Sequence, residues 1–298
     1  AMDWDKLKSF HAAAETGSLT AAGERLKISQ SAVSRQIAAL EDQIKSPLFQ
    51  RHARGLILTE AGRVLHRATA EMASSVRHVE SALNDTGETP HGEFHATAPL
   101  AFGSAWLVPR LHHFTEAYPR INLRLSLNDR EYDLLTLEAE CAIRLRAATN
   151  ADLIQRKLMK VHTGLYASPE YLKTHRAPER PEDLDRHSII AYGDEQEHMK
   201  GVNWAQRAGR DDRPEREPIL TLNNVPAMVI AARAGVGVAA VPEYMVEPNS
   251  GLVRLLPNEV GPHFDIYFIY PSDLRRSKRI AAFRDFLTAQ LKVYNKAA

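Results

Sequence analysis

Ser29-Gln30-Ser31-Ala32-Val33-Ser34-Arg35-Gln36-Ile37-Ala38-Ala39-Leu40-Glu41 reads as one short helix. Val33, Ile37 and Leu40 recur at i, i+4 and i+7, the spacing of a single apolar side. Gln30, Ser31, Ser34 and Arg35 point elsewhere, and small polar side chains let a helix approach the edges of DNA bases. Ser29 stands at the N-cap. Roughly Leu19 to Leu26 forms a preceding helix, with Lys27-Ile28 as the turn. The pair reads as a helix-turn-helix whose second helix enters a major groove. Residues 3–16 read as a further helix, with Trp4, Leu7, Phe10 and Ala14 on the side that packs beneath the motif. Trp4 is expected in that core.

Downstream of Leu48-Phe49, two short extended pieces around a glycine turn read as a wing hairpin. Arg51 and Arg54 flank the turn and reach backbone phosphate or a minor groove in the DNA-binding reading, or solubilise the surface in the plain one. The whole-chain charge of +1 carries no signal for nucleic acid. Between residues 20 and 67, however, eight basic residues face four acidic ones, a modest patch suited to phosphates.

From Thr59 to about Asp85 the apolar residues Ala61, Leu65, Ala68, Met72, Val76, Val79 and Leu83 recur at steps of three and four. At 1.5 Å per residue this is a rod about 40 Å long. Such a stripe pairs with a second copy in near coiled-coil geometry, or lies against the chain's own C-terminal part. Thr86-Gly87-Glu88-Thr89-Pro90-His91-Gly92 then marks a hinge. Beyond it strands and helices alternate: strands at Phe94–Ala98, Ile121–Leu127, Cys141–Leu145, Ile189–Tyr192, Ile219–Leu222, Gly235–Pro242 and His263–Tyr270, with a segment Val161–Ala167 leading into Ser168-Pro169-Glu170-Tyr171-Leu172. Helices are expected at Phe102–Tyr118, Tyr132–Glu138, Val225–Ala234 and Ser277–Val293. The alternation implies α/β architecture, a sheet layered with helices.

The N-terminal part closely resembles the LysR-type transcriptional regulators. The resemblance rests on Phe10, Gly17-Ser18, Ala21-Ala22, Leu26, Ser29-Gln30, Ser34-Arg35-Gln36-Ile37, Leu40-Glu41, Leu48-Phe49, Arg51 and Leu58-Thr59-Glu60-Ala61-Gly62. It is densest over residues 3–65 and continues more loosely to the C-terminus. It implies a winged helix-turn-helix over 1–58, a dimerising linker helix over 59–87, a hinge at 88–92 and an effector domain over 93–298 similar to periplasmic solute-binding proteins. Lobe I of that domain would comprise about 93–162 and 266–298, and lobe II about 163–265, so the chain crosses between lobes twice and frames a ligand cleft. The implied function is sequence-specific control of bacterial transcription in response to a small-molecule co-inducer. Implied partners are promoter DNA, further copies of the chain as a dimer of dimers, and RNA polymerase.

Within an open α/β lobe, ligands sit beyond the carboxyl ends of the strands. The loop after the first strand carries Leu100, Ala101 and Phe102 where the family usually has an early serine or threonine, and Ser104 is its first hydroxyl. That departure points to a less polar effector or one held by backbone. Asn128 and Asp129 follow the next strand, and Arg144 and Arg146 end the strand at Cys141. Arginine suits carboxylate or phosphate, so an acidic effector is the other expectation, against a plain ion pair with a neighbouring acid. Asn203, Trp204 and Asn224 are candidates from lobe II, with Asn224 equally placed to cap a helix.

Other patterns carry less. Gly235-Val236-Gly237 lies after a helix and before a strand, the reverse of a dinucleotide motif. Asp185, His187 and Ser188 lack a nucleophile-elbow setting, so no catalytic residue and no cofactor are expected and an enzyme with an appended helix-turn-helix is disfavoured. His91 and His95 straddle linker and strand, and His112-His113 face different directions, so no metal site is expected. The lone Cys141 reads as a core thiol, with a ligand-free redox switch as the alternative function. No run approaches a membrane span and the start at Met2-Asp3-Trp4 shows no signal pattern, which makes a cytoplasmic protein the expectation.

Overall fold

A computed structural model describes residues 3–52, 55–84, 89–129, 131–135, 138–193, 201–246, 250–259 and 261–297. The chain divides into two compact units, Ala1–Ser81 and Ala82–Ala298.

The first unit begins with α1 (Trp4–Thr16), α2 (Leu19–Leu26) and α3 (Gln30–Ile44). Each start is capped by a short polar side chain: Asp3 accepts from the Asp5 N–H, Ser18 from Ala21 and Ser29 from Ala32. Lys27 takes a left-handed conformation (φ 57°) to turn the chain between α2 and α3. Gly23 permits that turn, since a Cβ there would lie 2.7 Å from the Ile28 carbonyl oxygen. The core joins Leu7, Phe10, Ala13, Ala22, Val33, Ile37, Leu40 and Leu48. Burying a side chain the size of Leu40 contributes about 1.5–3 kcal/mol. Trp4, expected inside, is 39% exposed. It is the first residue of α1, one turn outside the layer that Leu7 and Phe10 fill.

The wing is present as β1 (Phe49–His52) paired antiparallel with β2 (Gly55–Leu58). Glu41 ties it to the end of α3, accepting from the Leu48 and Phe49 N–H groups at 2.7 and 3.3 Å. Thr59 caps α4 (Glu60–Asn84), accepting from the Gly62 N–H at 3.0 Å while its own hydroxyl donates to the Pro47 carbonyl at 2.7 Å. Ala61 and Leu65 pack partly against the unit's own core. Ala68, Met72, Val76 and Val79 are exposed. So is Val64, which extends the stripe one turn toward the wing. The Leu83 side chain lies outside the described residues.

In the second unit a nine-stranded sheet runs β4 (Ile121–Leu127), β3 (Gly92–Ala98), β5 (Cys141–Arg144), β11 (His263–Pro271), β6 (Leu153–Ala167), β9 (Val238–Pro242), β7 (Ile189–Tyr192), β8 (Leu220–Leu222), with β10 (Val253–Leu255) also on β6. β3 is parallel to β4 and β5, while β11 is antiparallel to β5 and β6. β7 is parallel to β8 and β9, and β6 is antiparallel to β9 and β10. β6 therefore serves both lobes, pairing with β11 up to His162 and with β9 from Thr163. The Thr163 hydroxyl donates to the Pro262 carbonyl at 2.9 Å, tying the two crossovers together.

Three elements differ from the sequence expectation. The segment noted from Val161 is the second half of a strand, β6, that begins at Leu153; its first half is an edge strand carrying Arg156, Lys157 and Lys160, charges that hide the apolar alternation. The helix expected over Phe102–Tyr118 breaks into α5 (Leu100–Phe102), a π turn (Gly103–Leu107), a 3-10 turn (Val108–Arg110) and α6 (Leu111–Ala117). Pro109 lacks an N–H and crowds the carbonyl four residues back, which accounts for the rewinding. Around Leu134-Leu135 there is a turn instead of a helix. Asp133 accepts from the Leu135 N–H and Glu138 from the Asp133 N–H, each at 2.9 Å, so side chains take the bonds a helix would use. The remaining helices are α7 (Pro169–Thr174), α8 (Trp204–Arg207), α9 (Val225–Arg233) and α10 (Lys278–Ala297).

Candidate functional site

The face of α3 opposite Val33, Ile37 and Leu40 carries the polar side chains. Gln30, Ser31 and Arg35 are exposed and Ser34 is half-buried at the border. The Ser31 hydroxyl lies 3.0 Å from that of Ser29, which caps the helix through the Ala32 N–H. Gln36, on the inner side, is held by the buried Ser9 hydroxyl of α1. The helix is thus anchored by one side and presents the other. Arg51 lies in β1, two residues into the wing, and Arg54 falls outside the described residues.

The second unit holds a small open cleft lined by Thr97, Ala98, Pro99, Asn128, Asp129, Glu131, Tyr132, Ile143, Arg144 and Leu145. It lies at the carboxyl ends of β3, β4 and β5, where the topology of parallel strands places ligand sites. Asp129 accepts from the Leu100 N–H at 3.0 Å and so closes the start of α5. The Ser104 hydroxyl is turned onto the Leu100 carbonyl at 2.6 Å. Arg144 donates to the Tyr132 carbonyl at 2.6 Å, and its Nε is buried with no hydrogen-bond partner among the described residues. Arg146 forms a two-pronged pair with Glu131, both contacts at 2.8 Å, with Arg144 3.9 Å from the same carboxylate. In this structure the arginines therefore meet an acid of the chain itself, the plainer of the two sequence readings.

The structure brings Asn128 and Arg144 to one cleft, with Leu100 and Arg146 attached through Asp129 and Glu131. It does not bring the others there. Ala101 and Phe102 are buried, Phe102 stacking on Trp106 at 4.9 Å and meeting Tyr244 edge-on at 5.5 Å. Asn203 spends its amide on both backbone groups of Tyr192, each bond 2.8 Å. Trp204 packs partly against the lobe II core. Asn224 caps α9, accepting from the Ala227 N–H at 2.8 Å. Sequence reading placed Asp129 beside Asn128 in the loop after β4 and missed Glu131 as a site residue; Glu131 is an acid near a strand end, and nothing local names its partner.

Cys141 is fully buried, and burial, followed by the nearby Glu140 charge, pushes its thiol well above the ordinary range. A redox sensor needs an exposed thiol of lowered pKa. His95 is engaged with Ser126 at 2.8 Å and His91 with the Thr89 carbonyl at 3.1 Å. The His112 and His113 rings lie 3.8 Å apart rather than facing away, with His112 bonded to the Pro109 carbonyl. Among the described residues no helix is long and apolar enough to cross a membrane.

Comparison with known proteins places both units. Residues 4–63 match the family model for the bacterial regulatory helix-turn-helix protein, lysR family, and residues 87–292 that for the LysR substrate binding domain. An HTH-type transcriptional regulator of Xanthomonas campestris is 31% identical over 93% of this chain and 82% of that protein. The Vibrio cholerae virulence activator AphB, in its full-length structure, is 25% identical with a TM-score of 0.63, covering 97% of this chain and 99% of that one. CrgA of Neisseria meningitidis, a LysR-type transcriptional regulator, is 25% identical with a TM-score of 0.62, covering 98% and 99%. The two family models between them span both units, and the chain belongs to the LysR family of transcriptional regulators, which bind DNA through the helix-turn-helix and an effector through the C-terminal domain, and are not enzymes.

Proposed function

We propose that this regulator reads its operator with Gln30, Ser31 and Ser34 in the major groove, and grips the flanking backbone with Arg35, Arg51 and Arg54. The supporting observation is the division of α3 into a buried apolar side and an exposed polar one. Two copies join along the exposed stripe of α4, Val64, Ala68, Met72, Val76 and Val79, with Leu83 continuing the repeat in sequence. Paired copies face DNA as a dyad, and two such pairs form the cytoplasmic assembly that meets RNA polymerase. The domain limits are those of the sequence reading, with the linker helix starting at Thr59.

The effector is a small molecule with an acidic group and an apolar body. Its acid would take the place of Glu131 on Arg144, and Ala98, Ile143 and Leu145 would receive the rest. Lobe closure about the paired crossovers at Thr163 and Pro262 then alters the spacing of the DNA-binding units. A thermal-shift screen of small carboxylates tests the site: a hit should raise Tm in the wild-type chain and lose its effect in Arg144→Met. A hit unaffected by Arg144→Met would place the effector elsewhere.

A further inference from the structure

His11 of α1 and His66 of α4 stack with ring centroids 5.4 Å apart and planes 25° from parallel. Glu15, one turn after His11, is 2.8 Å from His66 Nε2. One ligand atom from each of the three lies within 4.8 Å of the other two. The buried Thr69 orients this group. Its one hydroxyl proton goes to the His66 carbonyl at 3.1 Å, so it accepts from His11 Nδ1 at 3.2 Å. His11 then carries its hydrogen on Nδ1 and its lone pair on Nε2, the tautomer a metal takes when the other ring nitrogen is tied to an outer partner.

We propose that His11, Glu15 and His66 hold a divalent transition-metal ion of the zinc class. Two imidazoles and one carboxylate with a position open to water form a recognised donor set, with ligand bonds of about 2.0–2.2 Å. Side-chain rotations close the remaining distance. Glu15 and His66 are partly exposed, which gives the ion a path in. All three residues belong to the same compact unit. The bound ion fastens the first turns of α4 to α1, and α1 packs on α3, so occupancy stiffens the joint between the DNA-reading helix and the helix proposed to pair. The pattern is invisible to sequence spacing because 51 residues separate Glu15 from His66.

The test is a titration of the full-length, tag-free, metal-stripped protein with Co2+ and then Zn2+. The expected result is one Co2+ per protomer with visible bands of four- or five-coordination, displaced by Zn2+. Thr69→Ala should weaken binding about 10–100-fold, as loss of an outer partner does, and Glu15→Gln and His66→Gln at least as much. Zn2+ should raise the wild-type Tm and leave Glu15→Gln unmoved. Glu15 is on the surface, so its variant decides the matter even where His66→Gln fails to fold. Absent bands at equimolar Co2+, or binding that survives Glu15→Gln with unchanged circular dichroism, overturns the site and leaves a plain polar clamp.

Discussion

Ser34 stands where the two sides of α3 meet, half-buried between Val33 in the core and Arg35 in the open. Its neighbours sort by what they can donate. Gln30→Ala removes an amide that pairs with a base edge, and should weaken operator binding by about 1–3 kcal/mol and relax base choice. Arg35→Ala should weaken all DNA alike and reduce the salt slope by about one. Fluorescence anisotropy on operator and random duplexes at several salt concentrations separates the two. Cys141 should react with a thiol reagent only after denaturation, and Cys141→Ala should leave DNA binding under peroxide as it is in the wild type; a lost peroxide response would restore the redox reading. Periodicity made the inner residues of α3 legible. It could not place Trp4, because repeat spacing says which side of a helix is apolar but not where the opposing layer ends. Nor could it give Arg146 its partner, since Glu131 sits in a loop fifteen residues earlier.

Elements that follow local rules were readable in sequence, and elements shaped by distant neighbours were not. The capped helices α1 to α3 and the wing needed only caps, turns and spacing. β6 needed knowledge that its first half lies at a lobe edge. The start of α4 is tighter still: a Cβ on Gly62 would sit 2.1 Å from the Leu48 carbonyl oxygen. Gly62→Ala should therefore cost about 1–3 kcal/mol, seen as a lower Tm of the intact chain. In lobe II, Asp185 accepts from Arg210, Arg213 and Arg216 at 2.9, 2.9 and 2.7 Å, stitching the loop after α8 to the turn before β7. The Arg210 hydrogen bond, then those of Arg216, holds its carboxyl well below the usual range. A depressed folded pKa gives stability that is present above about pH 4 and lost as the solution grows more acidic. Asp185→Asn should flatten the acid limb of the stability curve and cost about 1–3 kcal/mol at neutral pH, because Arg216 is almost fully buried.

At the scale of the molecule, function depends on what α4 joins. Its stripe of Val64, Met72, Val76 and Val79 stays 40–59% exposed in one chain, more apolar surface than a lone helix keeps without a partner. Val76→Asp should shift the protein toward monomer in analytical ultracentrifugation and weaken operator binding far more than binding of one half-site. The layered α/β plan was legible because strands and helices alternate, and its two lobes from the family resemblance, whereas the place of Glu131 in the cleft emerged only when β3, β4 and β5 were set side by side. The most direct examination of the whole account is a hydroxyl-radical footprint of the full chain on the promoter it controls, with wild-type protein beside Gln30→Ala. Two symmetry-related protected segments about one helical turn or more apart, lost or redistributed in Gln30→Ala, are the predicted pattern. A single unpaired segment, or protection indifferent to the change in α3, would contradict it.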